Sequence, residues 1–267
     1  MVRSGNADLA VSMAGAGQPV IFLHAGVADR RMWWSQLAVF SRSHCVVAFD
    51  QRGFGDTRFR PEPHSVVGDL GVVMEFLDIK SAVLVGCSQG GKIAIDYALT
   101  SPERVDGLVL VAPAISGAPE PPIYPENIQK LVDAMGRASV EEDLDRLNQL
   151  EAHAWLDGPG EIEGRVGGNV RLLFLDMNGI ALNAEDAGEQ RDDMNSFKYF
   201  RELAVPIEIV SGELDFPHIN ERSRKLSGQA RRAHLSVVRS AAHLPNFERP
   251  AEFNALLNRA LLRMGSG

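Results

Sequence analysis

Short apolar runs recur along this chain, each followed by a stretch with helical spacing. VIFLH (20–24), CVVAFD (45–50), AVLVGC (82–87), VDGLVLVAP (105–113), PIEIVSG (206–212) and AHLSVVRS (233–240) read as strands. RMWWSQLAVF (31–40), VVGDLGVVMEFLDI (66–79), residues 91–99, INERSRKLSG (219–228) and AEFNALLNRALLRM (251–264) read as helices. The strands are continuously apolar rather than alternating, which is the pattern of a parallel sheet covered on both faces. Strand–helix alternation builds βαβ units, so the expected fold class is α/β, with a doubly wound, mostly parallel sheet. ADLAVSM (7–13) is expected to add an edge strand.

The rhythm breaks between residues 115 and 195. This interval opens on the proline-rich GAPEPPIYPEN and then turns helical, with SVEEDLDRLNQLEAHAW (139–155) expected as one helix started by a Ser139/Glu142 capping box. Helices inserted between two strands of a parallel sheet are most simply a lid over the strands' carboxyl ends. The expected organisation is therefore a core of residues 1–114 and 196–267 with a helical lid over 115–195. Acidic residues concentrate there: 17 Asp/Glu against 6 Lys/Arg, whereas the remainder carries 18 against 21. Such an excess is either a solvated acidic face or a device that disfavours anionic substrates.

A formal charge of −8, with no Lys/Arg-rich stripe, argues against a nucleic-acid partner. No apolar run approaches the ~18 residues of a membrane span, and MVRSGNADLA has no signal-type apolar stretch. Cys45 and Cys87, both in apolar runs, read as buried thiols of a reducing compartment, so a cytoplasmic protein is expected.

Gly86-Cys87-Ser88-Gln89-Gly90 matches G-x-S-x-G. The pattern alone is weak, but here it follows an apolar strand and opens a helix, the context of a nucleophile elbow. Glycines at 86 and 90 allow strand and helix backbones to approach, and the serine sits at the strained tip above a helix N-terminus that favours negative charge. Cys87 lies at the strand's end rather than at the tip. A serine needs a base, and the base needs an orienting acid. Of seven histidines, His44 and His64 read as surface residues, His153 falls in the lid, and His234 reads as packed within a strand. His243, in RSAAHLPNFERP after the last strand, stands where such a sheet carries its chemistry. For the acid, VSGELDFP offers Asp215, with Glu213 as the near rival closer to the strand end. An oxyanion hole needs two aimed N–H groups: one from Gln89, the other from the loop FLHAGVADRRMW.

With these residues in view the chain resembles the α/β-hydrolase superfamily over nearly its full length. His24-Ala25-Gly26-Val27 is similar to the family's H-G-x-P oxyanion loop, with Ala25 in place of glycine and Val27 in place of proline. Asp50-Gln51-Arg52-Gly53-Phe54-Gly55 matches D-x-R-G-x-G, residues 86–91 match G-x-S-x-G-G, and residues 212–215 match G-x-x-D. The resemblance implies catalytic Ser88, Asp215 and His243. It also implies an oxyanion hole from Gly26 (or Val27) and Gln89, a structural role for His24, and neither cofactor nor metal. Length and lid are most similar to enol-lactonases and cofactor-free haloperoxidase-like esterases. Dehalogenases and epoxide hydrolases carry aspartate where this chain has Ser88. The expected function is hydrolysis of a small carboxylic ester or lactone. Perhydrolysis, amide or C–C bond hydrolysis, and a ligand receptor on a hydrolase scaffold all use the same residues. Trp155, Phe174 and Met177 are candidates either for the pocket or for ordinary lid packing.

Overall fold

A computed structural model describes residues 1–119 and 123–265. The strands run β1 (Val2–Ser4), β2 (Ala7–Leu9), β3 (Val11–Ala14), β4 (Pro19–Leu23), β5 (Cys45–Phe49), β6 (Arg58–Phe59), β7 (Ala82–Cys87), β8 (Val105–Val111), β9 (Ile207–Gly212) and β10 (Ala233–Val238). The helices are α1 (Trp34–Phe40), α2 (Val66–Phe76), α3 (Gln89–Thr100), α4 (Glu126–Val140), α5 (Leu144–Glu151), α6 (Gly168–Leu182), α7 (Ser196–Tyr199), α8 (Pro217–Gln229), α9 (Pro245–Glu248) and α10 (Pro250–Met264).

Seven strands form the main sheet in the order β10-β9-β8-β7-β4-β5-β3, all parallel except the antiparallel edge strand β3. Successive residues of one strand feed opposite layers. Ile21 and Leu23 join the core beneath α2, α3 and α8, whereas Val20 and Phe22 join the core beneath α1 and α10. Burial on both faces is why the central strands read as unbroken apolar runs. The expected edge strand over 7–13 is two pieces, β2 and β3, belonging to different sheets; β1, β2 and β6 form the smaller one. At the other edge the expectation that His234 packs within its strand fails. β10 has a neighbour on one side only, and His234 is exposed rather than packed. His44 and His64 are half-buried at the rim.

From β4 the chain winds outward to β5, but from β7 it winds the other way, through β8 and β9 to β10. β4 and β7 are adjacent, with Leu23 paired to Gly86, so the loops leaving their carboxyl ends diverge and open a crevice. Between β8 and β9 the chain inserts α4, α5, a π-helical segment Ala152–Asp157, α6 and α7. The single helix expected over 139–155 is two. Ser139 lies in the last turn of α4, Glu142 adopts a left-handed φ of 55°, and the Asp143 carboxylate caps α5 by accepting from Arg146 N–H at 3.0 Å. Two N-cap signals compete in SVEEDL, and the aspartate at the chain reversal prevails. Of the proline-rich stretch 117–127, residues 120–122 lie outside the described residues. Among the described residues no helix is long and apolar enough to cross a membrane.

Candidate active site

Ser88 stands between β7 and α3 with φ 50° and ψ −112°, a conformation that non-glycine residues rarely adopt. The surroundings hold it there. Ser88 N–H donates to Val111 C=O at 2.9 Å, and Ser88 C=O accepts from Lys92 N–H at 3.1 Å and Ala114 N–H at 3.0 Å. The glycines make the turn sterically possible. A Cβ at Gly86 would lie 2.3 Å from Gly90 O, and a Cβ at Gly90 would lie 2.2 Å from Leu23 O. Cys87 points away into the core, where burial pushes its thiol well above the ordinary range, so it does not compete as a nucleophile.

Asp215 and His243 follow β9 and β10, the two outer strands of the same sheet. His243 Nδ1 and Asp215 Oδ2 are 2.8 Å apart, with both side chains buried. The second Asp215 oxygen accepts from Phe216 N–H at 2.7 Å, which fixes the carboxylate plane. The histidine loop passes so close to the end of β9 that a Cβ at Gly212 would lie 1.8 Å from Ala242 O. Glu213, the alternative acid, is exposed and accepts from Ser240 N–H at 3.0 Å. Ser88, His243, Gly26, Val27 and Gln89 line one cavity of about 320 Å³, closed by Ala114, Glu151 and Trp155. A larger concavity of about 640 Å³ at the amino ends of β9 and β10 includes Pro206, Arg232 and His234, but none of the elbow or histidine-loop residues.

The β4 loop is braced from beneath. His24 is fully buried; its Nε2 accepts from Gln51 N–H at 3.0 Å, so the proton sits on Nδ1 and is donated to Ala25 C=O at 2.8 Å. Burial also pushes the imidazole's pKa down, which keeps it neutral. Gln51 then accepts from Gln89 Nε2 at 2.7 Å, tying the β4 loop to the elbow. Asp50, beside Gln51, pairs with Arg30 and accepts from Asp56 N–H at 2.8 Å.

Other side chains stand at or near the site, one of them, Trp155, among the pocket candidates and the rest without a local signal in the sequence. Trp155 packs its ring 4.7 Å from the His243 ring, and its C=O accepts from His243 N–H at 3.2 Å. Phe174 and Met177, its fellow candidates, are buried among core residues and do not line the cavity. Glu151 and Gln51 lie in ordinary polar surroundings along the chain. His218 sits beside Tyr124 Oη at 3.1 Å, its pKa pushed down to about 4 chiefly by burial, with the Arg222 charge acting the same way and Asp215 opposing it. Among the described residues no cluster of three or more His, Cys, Asp or Glu side chains is placed to hold a metal ion.

The α/β-hydrolase fold family model matches residues 18–250. This chain belongs to the α/β-hydrolase fold family. AB hydrolase superfamily protein YisY of Bacillus subtilis is 26% identical over 93% of this chain and 93% of its own length. 3-oxoadipate enol-lactonase 2 of Acinetobacter baylyi is 24% identical over 96% of this chain and 94% of its own. Among solved structures, a thermophilic esterase from Thermogutta terrifontis superposes with a TM-score of 0.78 at 22% identity, covering 98% of this chain and 97% of that one. The last similarity speaks to the fold, and it extends over the inserted helices as well as the sheet.

Proposed function

We propose that the chain is a serine hydrolase that cleaves a small carboxylic ester or lactone through an acyl-enzyme on Ser88. The observation that carries this reading is the 2.8 Å contact between His243 Nδ1 and Asp215 Oδ2 behind a cavity whose wall includes both Ser88 and His243. In the proposed reaction Nε2 of His243 takes the Ser88 proton as Oγ attacks the carbonyl carbon. Asp215 accepts the Nδ1 hydrogen bond throughout and stabilises the imidazolium that forms. The N–H groups of Gln89 and Gly26 receive the oxyanion, each donor contributing about 3 kcal/mol to the transition state. His243 returns the proton to the leaving alcohol. A water then attacks the acyl carbon by the same route and frees Ser88.

The size and walls of the cavity favour a small substrate. Val27, Ala114 and Trp155 supply apolar surface for an acyl group or lactone ring. The enol-lactonase among the full-length relatives supports the lactone class. The helices between β8 and β9 act as the lid, since they contribute Glu151 and Trp155 to the cavity wall. Ser88→Ala should abolish turnover of p-nitrophenyl acetate and labelling by a fluorophosphonate. Near-native turnover in that variant would overturn the assignment.

A further inference from the structure

Among the described residues, Glu151 is the one acidic side chain on the wall of the Ser88 cavity. It ends α5, where the chain passes into the π-helical segment that carries Trp155. Its carboxyl is held from behind: Asn178, itself buried, donates from Nδ2 to Glu151 Oε2 at 2.6 Å. Asn178 Nδ2 also donates to Asn148 Oδ1 at 3.0 Å, and Asn148 Nδ2 donates to Leu175 C=O at 2.8 Å. This amide chain spans α5 and α6 and fixes one carboxyl oxygen. Among the described residues no Lys, Arg or His side chain lies within ion-pair distance of Glu151, although the protein pairs most of its other buried acids, including Asp50, Asp69, Asp157, Glu208 and Glu248.

An acid kept without a cation on a partly desolvated wall carries an electrostatic cost, and burial accordingly raises its pKa. Among the described residues no Lys or Arg side chain on that wall relieves the cost. A ligand group that donates hydrogen bonds would relieve it, and a cationic one most completely; a ligand carboxylate would add to it. We propose that Glu151 is a specificity-determining residue that recognises a protonated amine, or failing that a hydroxyl, on the substrate and rejects carboxylate-bearing esters. This rests on Ser88 being the nucleophile of an ester hydrolase. It places at a single side chain the discrimination against anions that the acidic insertion suggests only in bulk.

The test compares kcat/KM for three p-nitrophenyl esters of one length: hexanoate, 6-ammoniohexanoate and the adipate monoester. The wild type should favour the ammonium over the carboxylate ester by at least tenfold, mostly in KM. Glu151→Gln keeps the shape and the Asn178 contact but removes the charge, and the ratio should fall to within about threefold. Glu151→Ala, which makes no demand on Asn178, should give the same collapse. The ratio is internal to each enzyme, so a general loss of active protein divides out. A ratio that survives both substitutions, or three rates that fall together, would overturn the role of Glu151. Absence of Ser88-dependent turnover of every ester, hexanoate included, would instead overturn the hydrolase reading on which it rests.

Discussion

Glu248 should make this protein lose stability as pH rises through neutrality. Its side chain is only 2% exposed at the end of α9. One oxygen pairs with Arg165, from the insertion, and the other accepts from Ala242 N–H at 2.8 Å, one residue before His243. Burial outweighs both partners and pushes the carboxyl from 4.5 up to about 7. The folded state therefore holds a proton that the unfolded chain has released. Below pH 4.5 both states are protonated and the folded state keeps its full advantage; as pH rises toward 7 the unfolded chain ionises first and that advantage is lost. Two and a half pH units at 1.36 kcal/mol each amount to about 3 kcal/mol, of which about 2.5 falls between pH 5 and pH 8. Glu248→Gln cannot ionise, so it should escape this loss. Urea unfolding of both proteins at half-unit steps from pH 5 to 8 isolates it: other titrating groups, such as His218, contribute equally to the two curves. The variant's stability relative to the parent should climb by about 2.5 kcal/mol across the range. A difference that stays flat would show that Arg165 keeps the carboxylate ionised throughout, and the reasoning from burial would be wrong.

The candidate site and its scaffold yield two further expectations. Asp215→Asn should cut kcat for p-nitrophenyl acetate by on the order of 10⁴, because the amide favours the wrong imidazole tautomer; a loss under tenfold would point to another acid, Glu213 first. Gly90→Ala sets a Cβ against the Leu23 backbone, which cannot yield as a flexible side chain would. Its urea midpoint should report a loss of about 1–3 kcal/mol, and an unchanged midpoint would refute the close-packed account of the elbow.

How much of this was legible in the sequence depends on how local each cause is. The central strands announce themselves because Val20, Ile21, Phe22 and Leu23 are all fully buried, on alternating faces. Ser88, Asp215 and His243 could be nominated because a parallel sheet gathers its carboxyl-end loops on one side, so order along the chain becomes proximity in space. Edge position is not written in a strand's own residues, which is why AHLSVVRS suggests a packed His234 although that side chain is exposed. The inserted helices were legible as helices but not in their aim. Whether Glu151 or His153 meets the cavity depends on how α5 docks and on the π-helical turn, whose extra residue per turn shifts every later side chain. Pairings such as Arg165 with Glu248, 83 residues apart, leave no periodic trace at all.

Those distant pairings bear on how the proposed lid works. The loop that carries His243 is held from the insertion as much as from its own strand. Trp155 C=O takes the His243 N–H, Arg165 donates to Ser240 C=O at 3.0 Å, and the same guanidinium grips Glu248, whose free oxygen holds Ala242. Arg165 is anchored in turn by Leu156 C=O at 3.0 Å, within the turn next to Trp155. A cover fastened in this way cannot swing clear without loosening the imidazole it covers. Under the proposed function, substrate entry should therefore leave the segment around Trp155 in place, where it helps to hold the His243 loop.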